Sequence, residues 1–138
     1  MVPSRSETTE YPTVDEPAIV SGEGDNALRF TSNLYEKMIE HLRGELPNEG
    51  CGLIAFADDQ PVRIYPGTNV LASQTRYRMD DEQVIQAVDD MESNGWRLGA
   101  IYHSHPASPA RPSMTDLEEA NWPDAMMLIV SFSDQDDP

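Results

Sequence analysis

The feature that most constrains the fold is the run RLGAIYH at residues 97–103, which is apolar on both faces when extended. A strand of that kind has no solvent side, so it belongs inside a sheet that is covered on both faces. Two amphipathic helices offer the covers. From Thr31, a good N-cap, the residues Leu34, Tyr35, Met38, Ile39 and Leu42 follow helical spacing, and Gly44 sits where a helix stop belongs. Asp80 and Gln83 make a capping box, Val84, Ile85, Val88 and Met91 line one helical face, and Gly95 ends a second helix.

The remaining elements are shorter. GCGLIAFA (50–57) and PVRIYP (61–66) predict two strands joined as a hairpin by DDQ, and TRYRM (75–79) predicts a further short strand. After a proline-rich loop, MTDLEEAN (114–121) predicts a short third helix, and AMMLIVSF (125–132) a last buried strand. The order helix, hairpin, strand, helix, strand, helix, strand describes an α/β protein of the α+β kind: a mixed sheet flanked by helices. With 138 residues, one domain is expected. It should occupy residues 28–138, because residues 1–27 are rich in Pro, Ser, Thr, Glu, Asp and Gly without apolar periodicity and read as a disordered acidic tail.

Charge narrows the partners. Nine Lys and Arg stand against 25 Asp and Glu, a formal charge of −16, and this argues against free nucleic acid and anionic membranes, which need a positive footprint. A basic or neutral protein is the more suitable partner, although solubility alone accounts for much of the charge. The longest apolar runs fall far below the roughly 20 residues that a bilayer requires. The first residues lack the apolar stretch of a secretory signal, and a single cysteine, Cys51, agrees with a reducing compartment, so a cytoplasmic location is expected.

The chemistry is concentrated in HSHPASPARPSMTD, residues 103–116. In an extended segment residues i and i+2 point to one side about 6.7 Å apart, so His103 and His105 can converge on one ion. Asp116 is the nearest plausible third ligand, and two imidazoles with one carboxylate leave Zn²⁺ an open position for water. Alternatively, Ser113 and Asp116 are the two ends of a helix-capping box; a second box, Thr115 with Glu118, can cap the same helix and release them. A hydrolytic site also needs a base outside the metal's ligands. Glu49, in PNEGCGLIAF, precedes a strand and is followed by small residues that permit close backbone approach.

Taken together, NEGCGLIAF and, about fifty residues later, GAIYHSHPASPARPSMTDLEEA resemble the JAMM (MPN-plus) metalloproteases, and RYRMD with NGWRLGAIYHSHP is particularly similar to their compact prokaryotic branch. The similarity spans roughly residues 28–133. It implies the JAMM/MPN (cytidine-deaminase-like) architecture and one zinc per chain held by His103, His105 and Asp116. Glu49 would be the general acid/base, and Ser113 would help to stabilise the tetrahedral intermediate. The implied activity is hydrolysis of peptide or isopeptide bonds after the C-terminal Gly-Gly of a ubiquitin-like or sulfur-carrier protein. Release of an amino acid such as cysteine from a sulfur-carrier tail cuts the same carbonyl and stays open beside it. A non-catalytic scaffold of the same fold is the third reading; such relatives lack the ligand set. The sequence ends at SFSDQDDP, where other members continue with further strands, so a short or C-terminally trimmed domain is expected.

Other conspicuous residues have plainer readings. His41 lies on the apolar side of the first helix as a packed or rim residue, Cys51 is a small buried thiol, Met126 and Met127 are core, Trp96 and Trp122 anchor helix ends, and Arg111 is solvated.

Overall fold

A computed structural model describes residues 17–20, 28–112 and 124–138. The elements are β1 (Pro17–Val20), β2 (Leu28–Thr31), α1 (Ser32–Glu45), β3 (Cys51–Ala57), β4 (Gln60–Pro66), α2 (Asp81–Ser93), β5 (Arg97–His105) and β6 (Met126–Ser131). The main sheet has the order β4-β3-β5-β6; only β5 and β6 run parallel. The expected mixed sheet flanked by helices is therefore present, with the run at 97–103 in one of its two inner strands. The predicted third helix and Trp122 lie outside the described residues.

Each helix starts where the sequence places it. Thr31 Oγ1 accepts from the Leu34 amide at 3.2 Å, and Asp80 accepts from the Gln83 amide at 3.1 Å. The second box is only half closed, because the Gln83 carboxamide pairs instead with the Thr68 amide (2.7 Å) and hydroxyl (3.1 Å). Gly95, at φ 72°, takes the left-handed conformation that ends α2 without a Cβ penalty.

The two faces of the sheet bury separate clusters. Toward α1 lie Met38, Leu42, Ile54, Ala100, Tyr102, Leu128, Val130 and Phe132. Toward α2 lie Cys51, Leu53, Ala55, Met79, Ala87 and Met91. Alternation along β5 sorts its own residues between them, since successive side chains point to opposite faces.

Four expectations are revised. TRYRM is no strand; it contributes one isolated bridge, Asn69 with Met79, because the backbone around it is bonded to the Asn69 and Ser73 side chains instead. β1, the short apolar run PAIV, falls within the stretch that reads as a tail, and its antiparallel pairing with β2 gives it backbone partners there. On α2 the buried residues are Ala87 and Met91, while Ile85 is exposed. Met126, at the start of edge strand β6, is 41% exposed rather than core.

Gly52 makes room for Tyr102. A Cβ there would lie 2.3 Å from Tyr102 Cζ, so the ring crosses the position a side chain would fill. The Tyr102 hydroxyl then reaches His41 Nδ1 on α1 at 2.8 Å, the two rings meeting edge to face at 90°. His41 is thus a packed histidine. Burial holds its ring below the ordinary histidine range, against the opposing pull of Glu45 and a hydrogen bond to the Gly67 backbone. Burial likewise pushes the Tyr102 phenol up, so it stays protonated as the donor to His41.

Two outcomes follow from this packing. Gly52→Ala should destabilise the protein by about 1–3 kcal/mol, the cost typical of overpacking. Gly44→Ala, on a helix position with nothing within 4 Å of the added carbon, should be neutral or stabilising by up to about 1 kcal/mol; urea midpoints compare the two. For His41, the unfolded ring binds a proton near 6.5 whereas the folded ring binds it only at lower pH, so its contribution is lost as pH falls below the unfolded value. The melting temperature of wild type, relative to His41→Gln, should drop on moving from neutral pH to about 5.5.

Candidate functional site

The site is set by the β3–β5 ladder. Its register pairs Gly52 with Tyr102 and Cys51 with His103. One step on, Ser104 N–H donates to the Gly50 carbonyl (3.0 Å), but Gly50 N–H turns to the Ser104 hydroxyl (2.8 Å) rather than to a backbone oxygen. The ladder therefore ends on a side chain at this pair. Glu49 comes next, immediately beyond the last backbone pair of the ladder, at the same end of the sheet as His105. Burial is close to complete: Glu49 is 3%, His103 0% and His105 4% exposed.

Each imidazole is held. The His103 ring stacks on Tyr77, centroids 4.5 Å apart at 24°, and lies 5.1 Å from the His105 ring. His105 Nδ1 lies 2.9 Å from the Pro109 carbonyl, which can only accept, so Nδ1 carries the proton and the lone pair of the neutral ring is on Nε2. This is the outer contact that typically fixes a metal-binding histidine. The loop carrying Pro109 is tied down in turn, for the Ser131 hydroxyl donates to the Ser108 carbonyl at 2.6 Å and Arg111 N–H donates to Pro109 at 2.8 Å. The Arg111 side chain itself is exposed.

Glu49 is fixed through its backbone. Its N–H donates to the Ser73 carbonyl (2.8 Å) and its carbonyl accepts from Asn69 Nδ2 (3.0 Å). Cys51 is fully buried beside it, and burial with the nearby Glu45 and Glu49 charges pushes the thiol up to about 12. A thiol held protonated is no nucleophile at neutral pH.

Of the five predicted residues, Glu49, His103 and His105 are described, all three buried, with the two imidazoles adjacent. Asp116 and Ser113 lie outside the described residues. Among the described residues no group of three His, Cys, Asp or Glu side chains is placed to hold a metal alone. Sequence reasoning passed over Asn69 and Tyr77, which support Glu49 and His103 from the loop between β4 and α2. An Asn two residues after Gly67 signals only a turn, and nothing local in TRYRM marks its tyrosine as a stacking partner.

The chain is similar to known proteins. Residues 31–137 match the family model described as prokaryotic homologs of the JAB domain. The chain is 38% identical over 109 residues to a CysO-cysteine peptidase of Mycobacterium tuberculosis, covering 78% of this chain and 75% of the relative. It is 42% identical over 90 residues to a probable TtuB-protein conjugate cleaving protease of Thermus thermophilus, covering 64% of this chain and 60% of that one. The solution structure of protein DSY2949 from Desulfitobacterium hafniense superposes with a TM-score of 0.71 at 39% identity, over 79% of this chain and 77% of that one.

Ser104 offers a direct test of how the ladder ends. Ser104→Ala leaves the buried Gly50 amide without its acceptor, which should cost about 1–3 kcal/mol. Chemical denaturation measures the loss, and an unchanged midpoint would show that the amide finds another partner.

Proposed function

The chain belongs to the prokaryotic homologs of the JAB domain, and on that premise we propose that it is a zinc-dependent hydrolase cutting the peptide or isopeptide bond after the C-terminal Gly-Gly of a ubiquitin-like or sulfur-carrier protein. The observation that supports the proposal is the end of the β3–β5 ladder, where two buried imidazoles, His103 and His105, and a buried carboxylate, Glu49, flank the Gly50–Ser104 contact. The donor chemistry fits zinc: two imidazoles from one strand face, one with its tautomer fixed by a backbone carbonyl, are ligands this ion prefers. His103 and His105 would hold it, with Asp116 as third ligand. When bound, zinc supplies a Lewis acid that acidifies water to a pKa of about 7 and polarises a carbonyl.

The chain's own residues supply the proton transfers and the positioning. Glu49 takes a proton from the attacking water and returns it to the leaving amine, two steps one carboxylate can serve in turn. Ser113 donates to the oxygen on which charge develops. Tyr77 and the Pro109 carbonyl restrain the two rings, so that the ligand geometry needs little rearrangement. The substrate tail enters extended, and glycine at its end lets the backbone approach closely.

The two named relatives divide the proposal. One is named for conjugate cleavage, which favours release of whole proteins from a modifier. The other is named as a CysO-cysteine peptidase, which favours release of a single amino acid from a carrier tail. Both reactions attack a tail carbonyl, and an assay offering both adducts to the same enzyme separates them. No helix among the described residues is long and apolar enough to cross a membrane, and a cytoplasmic location completes the proposal.

Glu49→Gln keeps the shape of the side chain while removing the proton transfer. It should bind about one zinc per chain by elemental analysis, as wild type does, yet hydrolyse a Gly-Gly-linked adduct about 10²–10⁴ times more slowly. Mass spectrometry of the adduct reads the rate. Wild-type turnover in this variant, or activity in metal-free protein treated with chelator, would refute the mechanism.

A further inference from the structure

Asn69 is 7% exposed, and its short side chain is bonded at both ends. Nδ2 donates to the Glu49 carbonyl at 3.0 Å and the Arg76 carbonyl at 3.0 Å, with the Ser73 carbonyl at the limit of 3.5 Å. Oδ1 accepts from the Leu71 amide at 3.1 Å and the Arg78 amide at 3.0 Å. Every partner is a backbone group, and all but one belong to the loop that joins β4 to α2. The exception is Glu49.

The loop is thus folded around a carboxamide whose one outward contact is the backbone of the proposed acid/base. The Glu49 amide completes the connection by donating to the Ser73 carbonyl at 2.8 Å. Glu49 needs such a hold because it lies beyond the last backbone pair of β3 with β5, where the ladder has already ended on the Ser104 hydroxyl. A residue past the end of a strand has its φ and ψ set by whatever bonds its own N–H and C=O. Here the loop supplies both partners. At this side-chain length only the amide of Asn combines an oxygen that accepts twice with an NH₂ that donates to two carbonyls.

From this geometry we infer that Asn69 is a positioning residue for the hydrolysis: it fixes the backbone of Glu49, and with it the aim of the carboxylate, without touching substrate or metal. The inference rests on the reading of Glu49 as the acid/base. It also explains why a loop with exposed Val70 and Leu71 contains a nearly buried polar residue. A buried amide with every hydrogen bond made rigidifies its surroundings, whereas a half-satisfied one is costly.

Asn69→Asp separates this role from a merely structural one. It keeps the acceptor for the Leu71 and Arg78 amides but places an acceptor against the Glu49 and Arg76 carbonyls. Asn69→Ala, which buries no charge, is measured beside it. The probe substrate is a ubiquitin-like domain whose Gly-Gly tail is extended by one cysteine, with rates taken per folded, zinc-containing molecule. We expect kcat to fall about 10–10²-fold, the size of effect that misplacing a reacting group produces, with KM changed by less than about twofold and zinc content unchanged. Amide hydrogen exchange should quicken at Glu49. A structural role would lower the melting temperature and the folded fraction while leaving kcat per folded molecule as in wild type. Wild-type kcat in both Asn69 variants, with Glu49→Gln inactive, would overturn this inference alone; wild-type kcat in Glu49→Gln would overturn the reading of Glu49 and this inference with it.

Discussion

The antiparallel pairing of β3 with β5 is the constraint on which the rest depends. Its backbone bonds, interrupted by one bulge between Ile54 and Ala55, decide which residues of two distant segments stand opposite each other. A slip by one residue would exchange the faces of every side chain on a strand. His103 and His105 would then point at α1, and Tyr102 would turn its hydroxyl away from His41. The register is therefore pinned twice. Tyr102 fits only over a glycine, and Gly52 is the residue it meets; Ser104 closes the ladder by giving the Gly50 amide a hydroxyl in place of a carbonyl.

This arrangement divides the work of β5 between two faces. Ala100 and Tyr102 build the cluster under α1, and Ser104 ends the ladder. Ile101 packs on the cluster under α2, and His103 follows two residues on along the same strand face. The parallel partner β6 adds Leu128 and Val130 to the α1 side and, through Ser131, anchors the loop that restrains His105. Stability and chemistry share a strand without sharing atoms.

Much of this was legible in the sequence because it is local. Helix caps at Thr31 and Asp80 are read from residues three apart, and the doubly apolar run marks an inner strand by its own composition. The H-x-H spacing puts two rings on one side as soon as the segment is known to be extended. The misreadings are non-local. TRYRM has good strand propensity, but its backbone is bonded to an asparagine and a serine earlier in the loop, and propensity does not register such competition. The short strand β1 has its backbone partner across a gap in sequence. Ile85 is exposed and Ala87 buried because the phase of a helix against a sheet is set by the sheet. Asn69 was invisible for the same reason: its importance lies in whose carbonyl it reaches.

The loop between β4 and α2 is held by Asn69 entirely through main-chain atoms, its own and those of Glu49. Such a scaffold is indifferent to most of the side chains it carries. Val70, Leu71 and Gln74 are exposed on a backbone held by other residues. Substitution at these positions would leave the hydrogen bonds of Asn69 in place. The exposed surface of the loop can therefore change chemically while the backbone that holds Glu49 keeps its course.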